Sequence, residues 1–274
     1  YLSNSLAHRT TWLRSDLAPY LKEWIEFHKI VGIEHFYIYN NFSDDNYKEV
    51  LRPYMEDGTV DLIEWPYEQG QMKAYQDCLT KYSVETKWIG FIDLDEFVVP
   101  VKYDLIYEFL SKFEKNRPSV LIYWRLFGTS GKLERDRDTL ITEEFTSCWP
   151  KYDTVGKCFF NTKYEYEYDG KYNTDMHALW GKCNGTFLPP VNFEDRMVVG
   201  GRNIVHTDDF PIQINHYFTK TYQEYWEKVS RGDAFFSLNP RNEDYFYRHD
   251  MLCTGHETKI YKYLIKLKLA MKGK

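Results

Sequence analysis

The sequence predicts an α/β fold with a mostly parallel sheet and flanking helices. Three observations support this prediction. Strand-like and helix-like segments alternate over the first 125 residues, a pattern typical of parallel sheets covered by helices. The length of 274 residues suits one large domain. Polar loops follow two of the predicted strands, at the edge where such sheets bind their ligands.

The first predicted helix runs from about Pro19 to Val31, with an apolar face that includes Leu21 and Trp24. Asp16 is expected to cap it, and Gly32 ends it. The following elements alternate in chain order: strand 34–39, helix 46–55, strand 59–65, helix 69–81, strand 88–92, helix 105–113 and strand 119–124.

The strongest functional signal is the acidic sequence Asp93-Leu94-Asp95-Glu96, which directly follows the apolar strand 88–92. In an extended chain, Asp93 and Asp95 point to the same side. Three charges at the end of a core strand are costly unless they are solvated, paired or bound to a cation. A divalent ion that carries phosphates is the usual solution, and a solvated strand end is the alternative.

A second polar loop, 40–45, is expected at the same edge of the sheet. Asn40, Asp44 and Gln71 are predicted to contact a base or ribose, together with Asp16 from the first loop. Simple turn chemistry is the alternative role for Asn40. Two polar loops at one edge predict a binding pocket.

Several function classes are disfavoured. The chain has no glycine-rich phosphate loop after its first strands and no Gly-x-Ser-x-Gly sequence, which argues against dehydrogenases, P-loop enzymes and α/β-hydrolases. A net charge of −6 argues against general nucleic-acid binding. The five cysteines show no Cys-x-x-Cys spacing, so neither zinc nor redox chemistry is indicated.

Aromatic residues make up 18% of the chain, which suits a protein that stacks on sugar rings or bases, although an AT-rich genome would also favour them. The odd cysteine count, and a glycosylation sequon at Asn41 inside the predicted ligand loop, argue weakly against the secretory pathway. We therefore expect a cytoplasmic protein or one peripheral at a membrane. Since the chain opens at Tyr1, we also consider it a fragment of a larger or anchored protein.

Several segments, in the right order over about residues 10–235, resemble glycosyltransferase family 92. The resemblance is carried by Ala18–His28, Val31–Asn41, Asp93–Phe97, Trp124–Gly131, Asn215–Lys220 and Lys228–Asp233. One departure is Arg14-Ser15-Asp16, where many members have Lys-Asn-Glu, and 129–210 matches only in patches.

The resemblance implies a GT-A fold over residues 1–255, with a nucleotide-sugar-binding half at about 1–125 and an acceptor-binding half at about 126–255. It implies inverting transfer from a UDP-sugar, galactose or a related hexose or pentose, to a glycan acceptor, assisted by Mn²⁺ or Mg²⁺. A divalent ion neutralises the charge of a nucleoside diphosphate leaving group. The acceptor is expected to be a free, lipid-linked or protein-linked glycan.

The same resemblance implies roles for individual residues. Asp95 would coordinate the ion, Asp93 would reach it through water or hold the ribose, and His216 would be a further ligand. The bases Lys220, Lys228 and Arg231 are predicted to clamp the pyrophosphate, and a solvated helix face is the alternative. On the acceptor side, Trp124 and Phe127 offer stacking faces, and His177, in an otherwise polar stretch, is expected to assist there.

An inverting transfer needs a carboxylate base that reaches the acceptor hydroxyl. Asp233 is preferred because it belongs to a family motif, and Glu194 and Asp195 are the alternatives. The C-terminal segment 256–274 is predicted to be a basic helix that packs on the domain or contacts a membrane surface. Two other functions stay open: a metal-dependent nucleotide-sugar hydrolase or phosphodiesterase, and a non-catalytic glycan-binding domain.

Overall fold

One eight-stranded sheet draws its strands from both predicted halves of the chain. The computed structural model describes residues 8–13, 18–68, 70–136, 138–168, 177–199, 205, 207–230 and 241–273. Within this part of the chain, no helix has both the length and the apolar character needed to cross a membrane.

The strands, in chain order, are β1 (His8–Leu13), β2 (His35–Asn40), β3 (Val60–Glu64), β4 (Trp88–Phe91), β5 (Glu96–Pro100), β6 (Ser119–Leu126), β7 (Ser147–Cys148), β8 (Gly156–Asn161), β9 (Gly181–Cys183), β10 (Thr186–Leu188), β11 (Ile212–His216) and β12 (Gly255–His256). The helices are α1 (Ala18–Ile30), α2 (Tyr47–Glu56), α3 (Gln71–Tyr82), α4 (Ile106–Leu110), α5 (Ile141–Glu144), α6 (Tyr222–Ser230), α7 (Glu243–Met251) and α8 (Leu264–Lys272). Two short 3₁₀ helices cover Ser83–Glu85 and Lys259–Tyr263.

The strand order is β3-β2-β1-β4-β8-β6-β11-β5. The first four strands are parallel to one another, and β6 and β11 are also parallel. β8 runs antiparallel between β4 and β6, and β5 runs antiparallel along β11. The carboxyl ends of β4, β6 and β11 therefore meet at one edge of the sheet, which we call the carboxyl edge.

Two hydrophobic cores lie on opposite faces of this sheet, as the alternation along β2 shows. Phe36 and Ile38 join the larger core with residues of α1, α2 and α4, whereas Tyr37 and Tyr39 join a second core with residues of α3. Successive strand residues point to opposite faces, so helices cover both sides. The predicted α/β class with a mostly parallel sheet and flanking helices is confirmed.

Helix α1 fixes the loop that carries the three acids. The indole Nε1 of Trp24 donates to the carbonyl oxygens of Asp93 (3.1 Å) and Glu96 (3.0 Å). One residue earlier, the buried Glu23 accepts hydrogen bonds from the backbone N–H groups of Ile141 and Thr142, both at 3.0 Å, at the start of α5. A carboxylate satisfies the unpaired N–H groups of a helix start, so α1 positions two separate segments.

Most predicted elements match the observed ones to within a few residues. Strands β1, β5 and β7–β12 were not predicted, and the predicted helix 105–113 is shorter, Ile106–Leu110. The cap predicted at Asp16 lies outside the described residues, and the N–H of Ala18 instead donates to Asp45 Oδ2 (2.9 Å). The C-terminal segment packs on α1, where Lys22 Nζ donates to the carbonyl of Met271 (2.9 Å).

Gly156, the first residue of β8, lies against the backbone of β6. A Cβ atom at this position would be 1.9 Å from the carbonyl oxygen of Ile122, so neither strand could keep its place. We expect Gly156→Ala to lower the free energy of unfolding by at least about 1–3 kcal/mol, the usual cost of overpacking. Urea denaturation measures the change.

Gly273→Ala is the matched control, because the nearest atoms to its added methyl group lie 3.8 Å away. Equal stability of the two variants would contradict the close approach of β8 to β6.

Candidate active site

The acidic loop between β4 and β5 forms a turn, and the extended arrangement expected for Asp93 and Asp95 is wrong. The N–H of Glu96 donates to the carbonyl of Asp93, and the N–H of Asp93 donates to Glu96 Oε2, both at 3.0 Å. The fully buried Glu96 side chain thus closes the turn, and burial raises its pKa above the usual range. As a result, Asp93 and Asp95 meet different cations.

Asp93 pairs with Lys157 of β8. The Lys157 ammonium lies 3.0 Å from Asp93 Oδ2 and 3.9 Å from Glu96 Oε1, and only 2% of Lys157 is exposed. Burial alone would lower the pKa of Lys157, but the two acids outweigh burial and raise that pKa. Lys157 was missed from the sequence, although a lone lysine in the otherwise apolar strand β8 was an available signal.

Gln71 reaches this pair indirectly. Its Nε2 donates to the hydroxyl of Tyr75 (2.9 Å), which in turn donates to Asp93 Oδ1 (3.4 Å). Gln71 therefore lies at the same edge as Asp93, with Tyr75 between them.

Asp95 lies between a lysine and a histidine. Its Oδ2 accepts a hydrogen bond from Lys228 of α6 at 2.7 Å, and its Oδ1 lies 3.8 Å from His216 Nε2. Burial alone would raise the pKa of Asp95. The positive charge of Lys228, followed by those of protonated His216 and of Lys220, outweighs burial and holds that pKa well below its usual range. Asp95 is therefore ionised at neutral pH.

His216 ends β11, where it is paired with Glu96 of β5 and Leu126 of β6. Burial lowers the pKa of His216 to about 3, although Asp95 acts in the opposite direction. The imidazole is thus neutral at physiological pH, and its buried Nδ1 has no hydrogen-bond partner among the described residues. A neutral imidazole is the form that binds metals.

The donor atoms of Asp95 and His216 fit a divalent cation. Their 3.8 Å separation is too long for a hydrogen bond, and an ionised carboxylate and a neutral imidazole are both ligands of Mn²⁺. The described residues contain no group of three or more His, Cys, Asp or Glu side chains arranged to hold a metal ion. Asp93 stays apart from the pair because its carboxylate faces Lys157.

Trp124 of β6 lies at the same edge, with ring centroids 4.9 Å from His216 and 5.9 Å from His177. It is half-buried, and its Nε1 has no hydrogen-bond partner within the described ranges. Burial lowers the pKa of His177 well below its usual value. Phe127, by contrast, is fully buried in the larger core against Tyr217, so it offers no face to an acceptor.

Asn40 and Asp44 lie in the loop after β2. The Asn40 amide donates to the hydroxyl of Tyr47 (2.8 Å) and to Glu64 Oε2 (2.6 Å), and its oxygen accepts from the N–H of Ser43 (3.1 Å). These hydrogen bonds are the simple turn contacts that the sequence offered as the alternative role for Asn40. Asp44 is exposed.

The two alternative bases lie away from the Asp95 site. Asp195 accepts two hydrogen bonds from Arg117, both at 2.6 Å. Arg117 lies just before the start of β6. Trp124 lies near the other end of β6, about 17 Å along the strand from Ser119. Glu194 pairs with Arg196 at 3.5 Å. Asp16, Arg231 and Asp233 lie outside the described residues.

Comparison with known proteins identifies related sequences. The model of the family described as glycosyltransferase family 92 matches residues 13–237. A glycosyltransferase family 92 protein of Arabidopsis thaliana is 37% identical over 81 residues, which are 29% of this chain and 14% of that protein. The β-1,4-galactosyltransferase galt-1 of Caenorhabditis elegans is 35% identical over 94 residues, 31% of this chain and 22% of that protein.

The chain therefore matches less than a quarter of the length of these two curated relatives. Among solved structures, that of S. aureus TarS residues 1–349 is similar with a TM-score of 0.40 and 11% identity, over 60% of this chain and 50% of that TarS 1–349 chain.

His216 gives a testable pH dependence. Its pKa is about 3 in the folded chain and about 6.5 when unfolded, so the unfolded state binds more protons between these values. The free energy of unfolding that neutral His216 contributes is therefore fully present above pH 6.5 and is lost as the pH falls from 6.5 towards 3. Between pH 7 and pH 5, the wild type should lose about 1–2 kcal/mol more than His216→Gln.

Denaturant unfolding at each pH measures this difference. His256→Gln is the control, because His256 is exposed. Identical pH slopes in the wild type and His216→Gln would show that His216 is protonated in the folded protein.

Proposed function

Because the chain belongs to glycosyltransferase family 92, we propose that it transfers a sugar from a UDP-sugar to a glycan acceptor. The observation that carries the proposal is the group at the carboxyl edge: an ionised Asp95, a neutral His216 and the ammonium of Lys228. Galactose is the first donor sugar to test, since one relative is named a β-1,4-galactosyltransferase.

Asp95 and His216 would hold a divalent ion, Mn²⁺ in the first instance. Such an ion, when bound, stabilises the negative charge that develops on the diphosphate leaving group. Lys228, whose ammonium lies 2.7 Å from Asp95 Oδ2, is proposed to contact the same diphosphate, and Lys220 and Arg231 are the further bases proposed for this role. Asp93, held by Lys157, is proposed to bind the ribose or to reach the ion through water.

The acceptor is proposed to bind against Trp124 and His177, next to His216. For an inverting mechanism, Asp233 is the preferred base. In the described structure, Asp195 and Glu194 each form an ion pair with an arginine. In the sequence, Asp233 comes three residues after the end of α6, the helix that carries Lys228. The base would remove the proton of the acceptor hydroxyl as the new bond forms.

The C-terminal helix provides a proposed membrane contact. Leu267 of α8 is buried, while Ile265 and Leu269 are 70% and 65% exposed. These two apolar side chains, with the lysines around them, would lie on the membrane surface if the acceptor is lipid-linked.

The direct test is incubation with UDP-sugars and Mn²⁺, with and without a panel of glycan acceptors. UDP release that depends on the acceptor supports transfer. Turnover without an acceptor favours the hydrolase or phosphodiesterase alternative. Glycan binding without any turnover favours a binding domain.

Asp95→Asn should remove Mn²⁺-dependent UDP binding and transfer, because the ion loses an ionised ligand. Loss of a residue that hydrogen-bonds to a metal ligand lowers metal affinity roughly 10–100-fold. We expect loss of the ligand itself to lower the affinity for Mn²⁺ by more than this. Calorimetric titration with Mn²⁺ and then UDP measures both steps. Asp244→Asn, which changes an exposed acid on α7, is the control, and unchanged Mn²⁺ affinity in Asp95→Asn would refute the metal assignment.

Asp233→Asn should lower kcat by about 10²–10⁴-fold and leave donor affinity unchanged, as expected for loss of a general base. Glu194→Gln and Asp195→Asn, which alter acids paired with arginines, should keep near-normal kcat. The product from an α-linked UDP-sugar should be β-linked, as NMR can establish. An α-linked product would exclude single-displacement inversion, and a normal kcat in Asp233→Asn would exclude it as the base.

A further inference from the structure

The two aspartates of the acidic loop differ in how firmly their lysine partners are held. Lys157 lies on β8, between β4 and β6, and only 3% of its side chain is exposed. Lys228, the partner of Asp95, lies on α6 with 26% of its side chain exposed. Because a lysine stem is flexible, Lys228 can turn from Asp95 towards a ligand. Lys157 is enclosed and stays with Asp93.

The ammonium of Lys157 is held from three directions. It lies 3.0 Å from Asp93 Oδ2, 3.9 Å from Glu96 Oε1 and 5.9 Å from the ring centroid of Trp124. Glu96 is itself fully buried, and its Oε2 accepts the hydrogen bond that closes the acidic turn. The position of the ammonium is therefore fixed by the same turn that presents Asp93.

The carboxylate of Asp93 is also held by helix α3. Its Oδ1 accepts a hydrogen bond from the hydroxyl of Tyr75 at 3.4 Å, and the fully buried Tyr75 ring stacks on Phe91 with centroids 4.2 Å apart. Asp93 thus contacts side chains of β8 and α3, whereas Asp95 contacts Lys228 of α6 and lies beside His216 of β11. The two acids face different parts of the carboxyl edge.

A divalent ion and a hydroxyl group make different demands on Asp93. An ion at this carboxylate would meet the fixed positive charge of Lys157 at close range, where the surroundings are largely buried and repulsion is strong. Neutral hydroxyl groups meet no such repulsion, and they donate hydrogen bonds to an ionised carboxylate. The Asp93 side chain is 34% exposed, so its oxygens have room to accept further hydrogen bonds.

We propose that Lys157 is a positioning residue: it holds the Asp93 carboxylate for the ribose hydroxyls of the nucleotide donor and keeps it from coordinating the divalent ion. This inference rests on the proposed function, because it assumes a nucleotide donor. It selects one of the two roles proposed for Asp93 and gives the buried lysine of β8 a part in donor recognition.

The test compares UDP with 2′,3′-dideoxyuridine diphosphate, which lacks both ribose hydroxyls, in calorimetry with Mn²⁺ present. The wild type should bind UDP at least about tenfold more tightly than the analogue, since the hydroxyls donate to a charged group. Asp93→Ala should abolish this preference and leave the affinity for Mn²⁺ unchanged.

Lys157→Met should also reduce the preference for UDP over the analogue without lowering the affinity for Mn²⁺, because Asp93 loses its fixed partner. Lys157→Arg should retain part of the preference, because it keeps the positive charge. A purely structural role would weaken the binding of both nucleotides equally. Lys163→Met is the matched control, since Lys163 is an exposed lysine just after β8 that pairs with Glu114 at 3.6 Å.

Thermal unfolding of each variant identifies loss of structure, and Asp93→Ala tests the inference even if Lys157→Met does not fold. If the wild type binds UDP and the analogue equally well, or if Asp93→Ala lowers Mn²⁺ affinity as much as Asp95→Asn, this inference alone is wrong. A full preference for UDP in folded Lys157→Met would likewise refute the role of Lys157. If the wild type binds no UDP, the proposed donor class fails, and the inference fails with it.

Discussion

The rest of the site depends on one electrostatic constraint: three acids within four residues follow a buried strand and need cations. Lys157 meets Asp93 and Glu96 from the neighbouring strand β8, and Lys228 meets Asp95 from α6. Loss of one partner from a buried ion pair costs several kcal/mol, because the other charge stays buried. The positions of β8 and α6 beside the loop are therefore coupled to the ionisation of its acids.

Helix α1 provides the second constraint, because three of its residues within one turn and a half reach different parts of the site. Trp24 holds the acidic loop through two backbone carbonyls, Glu23 holds the start of α5, and Tyr20 packs against both Arg135 and Lys220. Residues at i, i+3 and i+4 lie on one face of a helix. A single helix face thus relates the acidic loop to Lys220, one of the bases proposed to contact the diphosphate.

Local pattern predicted much of the fold, since periodicity and turn residues placed α1, β2, α2, β3, α3, β4 and β6 to within a few residues. Pairings between distant segments could not be read in this way. The pairing of Lys157 with the acids depends on the insertion of β8 between β4 and β6, which no local pattern predicts. Among the candidate residues, Asp95, His216 and Lys228 lie close together, whereas the Glu96 side chain turns the chain so that Asp93 faces elsewhere. The difference between the half-buried Trp124 and the fully buried Phe127 also depends on tertiary packing, which no local pattern encodes.

The long sequence separation of these ion pairs has a consequence for biosynthesis. Asp93 lies 64 residues before Lys157, and Asp95 lies 133 residues before Lys228. On a ribosome, the acidic loop therefore emerges well before either lysine, and the strand that precedes it cannot be buried with its charges compensated. Contacts of this separation form late, so the acids of the loop stay uncompensated while the first half of the chain is synthesised. The carboxyl edge of the sheet is therefore completed only once α6 has been synthesised.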